Sequence, residues 1–342
     1  QKLNGLDLYN SSLSVGSIRI EGLKATDAEA YGIFEDALSD RYASSINGSE
    51  EIYISGIQSD SNNAYGIFSN SGYLTLNSDE PKSQEQNIQI KSISGINAYG
   101  FRINDADTSM NSGALLVQDI TASGSNGTAA ALSINTKNNN GAFTFNAPSL
   151  SASNIVASKG QAYGVEYSDP DGQSLKIDID DIIIRQISGS KASGINFISS
   201  VDLSANKKSS LDSKTVDISD ISASNGTATG IRLYKDYYQG LLVSNFETVS
   251  ISDISGSSAY ALNISGDNNL VTIGSLNTWD IHSNSLETAS NSDVGNQQEI
   301  IINADDYADV RIQNSAFLIM DPLGTDGSYT PTYQGSHLHQ SS

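Results

Sequence analysis

One short phrase recurs along most of the chain: Ala30-Tyr-Gly-Ile33, Ala64-Tyr-Gly-Ile67, Ala98-Tyr-Gly-Phe101, Ala129-Ala-Ala-Leu132, Ala162-Tyr-Gly-Val165, Ala192-Ser-Gly-Ile195, Ala228-Thr-Gly-Ile231 and Ala259-Tyr-Ala-Leu262. The alanines are spaced 34, 34, 31, 33, 30, 36 and 31 residues apart, close to 33 on average. A period of this length means a stacked repeat architecture, in which each unit buries its apolar face only against its neighbours.

A second pattern precedes each phrase and decides between strand and helix. Two apolar residues at i and i+2 are followed three residues later by another: Ile18-Ile20-Leu23, Ile52-Ile54-Ile57, Ile88-Ile90-Ile93, Leu115-Val117-Ile120, Leu150-Ala152-Ile155, Ile182-Ile184-Ile187, Val216-Ile218-Ile221 and Val249-Ile251-Ile254. A spacing of two is a strand with one face inward, and the slip to three marks a corner. The residue before the last apolar one is Gly22, Gly56, Ser92, Asp119, Asn154, Gln186, Asp220 or Asp253. Gly, Asn and Asp dominate these positions and best tolerate left-handed backbone, so a sharp bend is expected at each. Asp or Asn there can also ladder from coil to coil.

A third strand is read at Tyr73-Leu-Thr-Leu76, Phe143-Thr-Phe145, Leu175-Lys-Ile177 and Leu241-Leu-Val243. Three short strands per repeat, each pairing with its counterpart one repeat on, make an all-β parallel β-helix of about ten coils, roughly 45–50 Å long. Helical repeats of similar period need a 3.6 periodicity that is absent, and no leucine ladder exists. Residues 1–16 are expected to form an N-terminal cap or partial coil, 17–320 the repeats, and 321–342 an extended or disordered tail. Turns or loops are read at 78–86, Asn138-Asn-Asn-Gly141, Ser168-Asp-Pro-Asp-Gly172 and Ser283 to Gln298.

The repeated Tyr31, Tyr65, Tyr99, Tyr163 and Tyr260 leave one question open. Strict alternation puts them inside with the following Ile, whereas a bend at the glycine puts Ala inside and Tyr outside, as a ladder for stacking on sugars or protein.

The net charge of −21 repels phosphates and anionic membranes, so nucleic acid is not an expected partner. Apolar runs stay short, so direct membrane insertion is not expected either. The absence of cysteine rules out disulfides and thiolate metal sites. A β-rich, cysteine-free chain full of Asn and Ser reads as secreted. The triplets at Asn47, Asn126 and Asn225 arise from Asn/Gly/Ser turns rather than as glycosylation sites.

The strongest ligand-binding candidate is the loop carrying Tyr234, Asp236, Tyr237 and Tyr238, three aromatics and an acid in an outward segment. Asp178, Asp180 and Asp181, or Asp305, Asp306 and Asp309, offer carboxylates for glycoside cleavage or lyase chemistry, although alternation on a strand explains the first set without it. Asp169-Pro-Asp171-Gly172 lacks the remaining ligands of a calcium loop. His282 stands near Trp279, and His337 and His339 form a weak pair; no catalytic constellation, cofactor or metal site is read from them.

Repeats such as Ile218-Ser-Asp-Ile-Ser-Ala-Ser-Asn-Gly-Thr-Ala-Thr-Gly-Ile231 and Ile251-Ser-Asp-Ile-Ser-Gly-Ser-Ser-Ala-Tyr-Ala-Leu262 resemble those of Gram-negative autotransporter passenger domains, over about residues 17–320. The resemblance implies a right-handed β-helix, delivered through an outer-membrane barrel and displayed or shed outside a bacterial cell. It implies an adhesin, without enzymatic activity, that binds another copy of itself, in aggregation or biofilm, or a host glycan or matrix protein. The serine motif of the family's protease branch is missing. The alternatives are a β-helical polysaccharide lyase or hydrolase and a secreted toxin-like passenger.

Overall fold

The computed structural model describes residues 2–36, 44–47, 51–70, 74–76, 87–104, 110–135, 142–169, 174–199, 208–235, 241–266, 269–283, 300–304, 309–317 and 338–340. The expected loops at 78–86 and Asn138–Gly141, most of Asp169–Gly172, the excursion beyond Ser283, Asp305, Asp306 and most of the tail lie outside them. Among the described residues every regular element is a strand, and the strands stack into a parallel β-solenoid. A ten-stranded sheet carries the Ala-Tyr-Gly phrases, and a thirteen-stranded sheet carries the apolar triplets. A three-stranded sheet joins Ser12–Ser14, Ser44–Asn47 and Leu74–Leu76. Pairing follows the repeat: Ile52 faces Ile88, Ile88 faces Leu115, and Leu115 faces Leu150.

All eight expected corners are there, and each has left-handed backbone. Gly22 and Gly56 have φ of 70° and 67°, and Ser92, Asp119, Asn154, Gln186, Asp220 and Asp253 lie between 55° and 58°. A ninth, Asp280 at 55°, continues the column of corners. The side-chain ladder also exists, since Asn154 Nδ2 donates to Asp119 Oδ1 at 2.6 Å. Asp119→Val adds β-branched strain to the lost hydrogen bond and is expected to cost about 1–3 kcal/mol, whereas Asp119→Gly loses the bond but relieves the strain and costs less. Urea unfolding midpoints of the two variants check that order.

Two features differ from the expectation. The third strand is separate only near the N-terminal end. Later it runs on into the next repeat as the 16-residue strands Ala142–Ala157, Ser174–Gly189, Lys208–Ala223 and Leu241–Gly256. Complete three-sided turns are also fewer than about ten, because Lys2–Leu8 and the strands Ile300–Ala304 and Asp309–Phe317 extend the two sheets at the ends without a described full turn. Three residues of the expected tail, Leu338–Gln340, pair antiparallel with Asp309–Phe317 and so occupy an edge that would otherwise be open.

The tyrosine question is settled by a bend. Register passes from Tyr31–Tyr65 directly to Ile33–Ile67, leaving the glycine out of the ladder. Ala30 and Ile33 therefore both enter the aliphatic column, whereas Tyr31, Phe34, Tyr65, Phe68, Tyr99, Ala130 and Tyr163 form a second buried cluster outside it. The rings stack on each other, with Tyr31–Tyr65 centroids at 4.8 Å and Tyr65–Tyr99 at 5.4 Å.

The glycine of the phrase is a packing necessity. A Cβ at Gly66 would lie 2.4 Å from Ile90 Cγ2 and 2.6 Å from the Gly100 carbonyl oxygen. Two repeats carry alanine there instead, Ala131 and Ala261, and in those repeats the facing ladder is reduced from isoleucine to Ala152 and Thr278. Small faces large, and where one grows the other shrinks.

Candidate functional site

Three outward surfaces are built by this register. The first is the outer face of the ten-stranded sheet. One row runs Tyr31, Tyr65, Tyr99, Ala130, Tyr163, Ser193, Thr229, Tyr260, and the next runs Phe34, Phe68, Arg102, Ser133, Glu166, Asn196, Arg232, Asn263. The aromatic end is closed to ligands: Tyr31, Tyr65, Tyr99 and Tyr163 are only 2%, 5%, 5% and 7% exposed. Burial, reinforced by the Glu29 carboxylate that accepts the Tyr31 hydroxyl at 2.5 Å, pushes that phenol well above its ordinary range. Arg102 lies 4.3 Å over the Tyr99 ring.

Further along the row the surface becomes polar. Ser133 Oγ donates to Glu166 at 2.8 Å, and burial pushes the Glu166 carboxyl up, against the opposing pull of that hydrogen bond and of Arg102. Asn196, on the adjacent rung, is 3% exposed. Arg232 is half-buried on the rung after that, 5.5 Å from the Tyr234 ring centroid. The fold prefers neutral Glu166. Its stabilising contribution is fully present below the pKa of the unfolded chain and is lost as pH rises through the higher folded value. Glu166→Gln retains an acceptor for Ser133, so it is expected to raise the melting temperature at neutral pH and leave it unchanged below about pH 4. Melting curves across that range check the sign.

Tyr234 therefore lies on a strand, Thr227–Lys235, half-buried on the outer face, and not in a free loop. Asp236, Tyr237 and Tyr238 lie outside the described residues, so the aromatic group is not brought together by what is described.

The second surface is a trough where the long strands bend. Pairing breaks between Asp178–Asp212 and Asp181–Thr215, and again around Lys214 and Glu247. The bend opens a cavity of about 560 Å³ lined by Asp178, Asp180, Asp212, Lys214, Glu247 and others, including the buried Phe246. Its three aspartates are engaged: Lys176 meets Asp178 at 3.1 Å, Lys214 meets Asp180 at 3.1 Å, and Asn245 Nδ2 donates to Asp212 at 2.6 Å, while Glu247 is exposed at the rim. Asp178 and Asp180 thus share the trough, while Asp181 is exposed on the flank beyond it. Asp309 is remote in register, pairing with Leu270. The sequence reading missed Asp212, Lys214 and Glu247, although Asp178, Asp212 and Asn245 stand one repeat apart.

The third surface is the outer flank of the thirteen-stranded sheet. Its central row is Arg19, Tyr53, Gln89, Leu116, Ser151, Ile183, Asp217, Ser250, Asn277, and beside it run Glu21, Ser55, Lys91, Gln118, Ser153, Arg185 and, further on, Ser252 and Trp279. Most of these side chains are partly or fully exposed, Ile183 and Trp279 at 37% and 41%. His282 ends a neighbouring row of Ser188, Ser222 and Ser255, and Trp279 lies two rows away. His337 lies outside the described residues, as does the side chain of His339. Among the described residues no group of three or more His, Asp or Glu is placed to hold a metal ion. No family model, curated protein or solved structure matches the chain.

Proposed function

We propose that the chain is an adhesive rod of the autotransporter-passenger type, working outside a bacterial cell by pairing with a second copy of itself along the flank of the thirteen-stranded sheet. The observation that carries this reading is the flank itself: serine, glutamine and asparagine recur in register over many rungs, between charges that pair within the rod, as Arg19 with Glu21 and Arg185 with Asp217. Nine rungs at about 4.8 Å and five residues at about 3.4 Å give roughly 700 Å² per rod, close to the share each partner contributes to a standard interface. Many weak hydrogen bonds then add along the rod.

Charge selects the orientation. Toward the N-terminal end of the flank Arg19 and Lys24 are paired with Glu21 and Asp60, and Lys91 shares that end with Glu51, so it is close to neutral. Asp181, Asp217, Asp220, Asp253 and Asp280 lie toward the other end, with Arg185 paired to Asp217. An antiparallel copy sets the acidic end against the near-neutral one, and a parallel copy sets acid against acid. The whole-chain charge of −21 still repels at long range, so pairing is expected to strengthen as salt rises from about 10 mM to about 150 mM. Sedimentation equilibrium across these salts tests the reading: a concentration-dependent dimer supports it, and a monomer at every concentration and salt rejects it.

The trough favours a second reading, a polysaccharide lyase or hydrolase, because it holds carboxylates beside Lys214. Its three aspartates are tied to Lys176, Lys214 and Asn245, which suits a structural role better. Release of reducing ends or unsaturated products from acidic polysaccharides would move the assignment to an enzyme. A host glycan or matrix protein as the adhesive partner is addressed by binding to immobilised panels of each.

A further inference from the structure

A flank that pairs with its own copy must settle on one register, and two features of this flank bear on which. Leu116 and Ile183 interrupt the polar central row one rung before and one rung after Ser151, Leu116 partly exposed and Ile183 37% exposed. In the column of left-handed corners, Gly22, Gly56 and Ser92 occupy the first three of nine rungs and Asp220, Asp253 and Asp280 the last three. In an antiparallel pair the two-fold axis lies along the strands. Each column therefore faces itself, and the rung a given number of steps before the axis meets the rung the same number of steps after it in the partner.

We infer that the axis runs along the rung of Ser151 and Asn154, so that Leu116 of each rod packs on Ile183 of the other. This register rests on the rod-to-rod pairing proposed above and fixes which residues meet in it. It sets Asp220, Asp253 and Asp280 against Ser92, Gly56 and Gly22 of the partner, Asp217 against Gln89, and Arg185 against Gln118. No charge on these columns then meets its like. With the axis half a rung toward the N-terminal end, Lys91 would face Arg185, and a full rung would put Asp119 on its own copy. Half a rung the other way, Asp119 would face Asp220, and a full rung would put Arg185 on its own copy. Facing like charges cost affinity, whereas apolar anchors ringed by polar contacts supply much of it.

The test uses the full chain, with association followed by sedimentation equilibrium at one salt concentration. Gln89→Lys and Gln118→Lys change the net charge equally on neighbouring rungs, but the first faces Asp217 of the partner and the second faces Arg185. Gln89→Lys is expected to tighten association at least threefold, and Gln118→Lys to weaken it at least threefold. Ile183→Ser is expected to weaken it at least tenfold at an unchanged melting temperature, because that side chain is exposed in the single rod. One spin label per chain then locates the axis. Labels on Gln89→Cys or on Asp217→Cys should lie four rungs apart between the two copies, roughly 20 Å in both cases, and labels on Tyr53→Cys or Ser250→Cys six rungs, roughly 30 Å in both. A monomer at every concentration removes the pairing and the register with it. A dimer in which the two lysines act alike, Ile183→Ser has no effect, or the matched distances differ overturns the register and leaves the pairing standing.

Discussion

Gly66→Ala is expected to destabilise the rod by about 1–3 kcal/mol, and trimming Ile90 in the same chain is expected to return most of that loss. The added methyl lands 2.4 Å from Ile90 Cγ2, deep in the column, where neither side chain has solvent to retreat into. Ile90→Ala alone leaves a cavity and costs about 2–5 kcal/mol. The double variant reproduces the Ala131 and Ala152 combination that the chain already uses, so the two changes together should cost clearly less than their sum. Chemical denaturation of the four-member cycle measures the coupling. Additive costs would mean that these two ladders do not meet across the column.

Ser151→Lys combined with Ser153→Lys is expected to weaken self-association at least tenfold without lowering the melting temperature. Both residues lie midway along the flank, partly exposed, on the ladders Leu116–Ser151–Ile183 and Gln118–Ser153–Arg185. In an antiparallel pair related by a two-fold axis, residues near the axis face their own copies, so each added lysine meets another lysine. The only described bond lost is Gln118 Nε2 to Ser153 Oγ, a part-buried contact at 3.2 Å. Sedimentation equilibrium and melting curves on the same samples read both quantities. Unchanged association would place the contact elsewhere, and a lower melting temperature would show that these serines serve the fold.

The column was legible in the sequence because burial on a strand is binary and repeats every second residue. Each slip from two to three, as at Ile88-Ile90-Ile93, marks a residue whose backbone turned left-handed. Asp280 escaped notice because Thr278 stands where the other repeats carry an aliphatic residue, though the corner geometry is the same. The merging of third strands was not legible, since Phe143-Thr-Phe145 and Leu150-Ala152 read as separate strands across Ala147-Pro-Ser149, yet the chain passes that bend without losing the sheet. The direction of the tyrosines turned on a bend at glycine that alternation cannot reveal. The outer surfaces were least legible: Glu166, Asn196 and Arg232 lie about one repeat apart, and nothing in their types announces that they adjoin. Only the register brings them together, and Tyr234, singled out for its aromatic neighbours, adjoins them for a different reason.

Everything above rests on successive repeats lying side by side in one register. Pulsed electron–electron resonance measures this directly, because the chain has no cysteine and labels attach only where one is introduced. With one label at Gln89 and the second at Ile183, Asp217 or Ser250 in turn, the pairs lie three, four and five rungs apart on a single ladder. In samples diluted with unlabelled protein the three distances should rise in equal steps of about 4.8 Å. Distances that do not climb in step with rung number would contradict the stacked column and the surfaces derived from it.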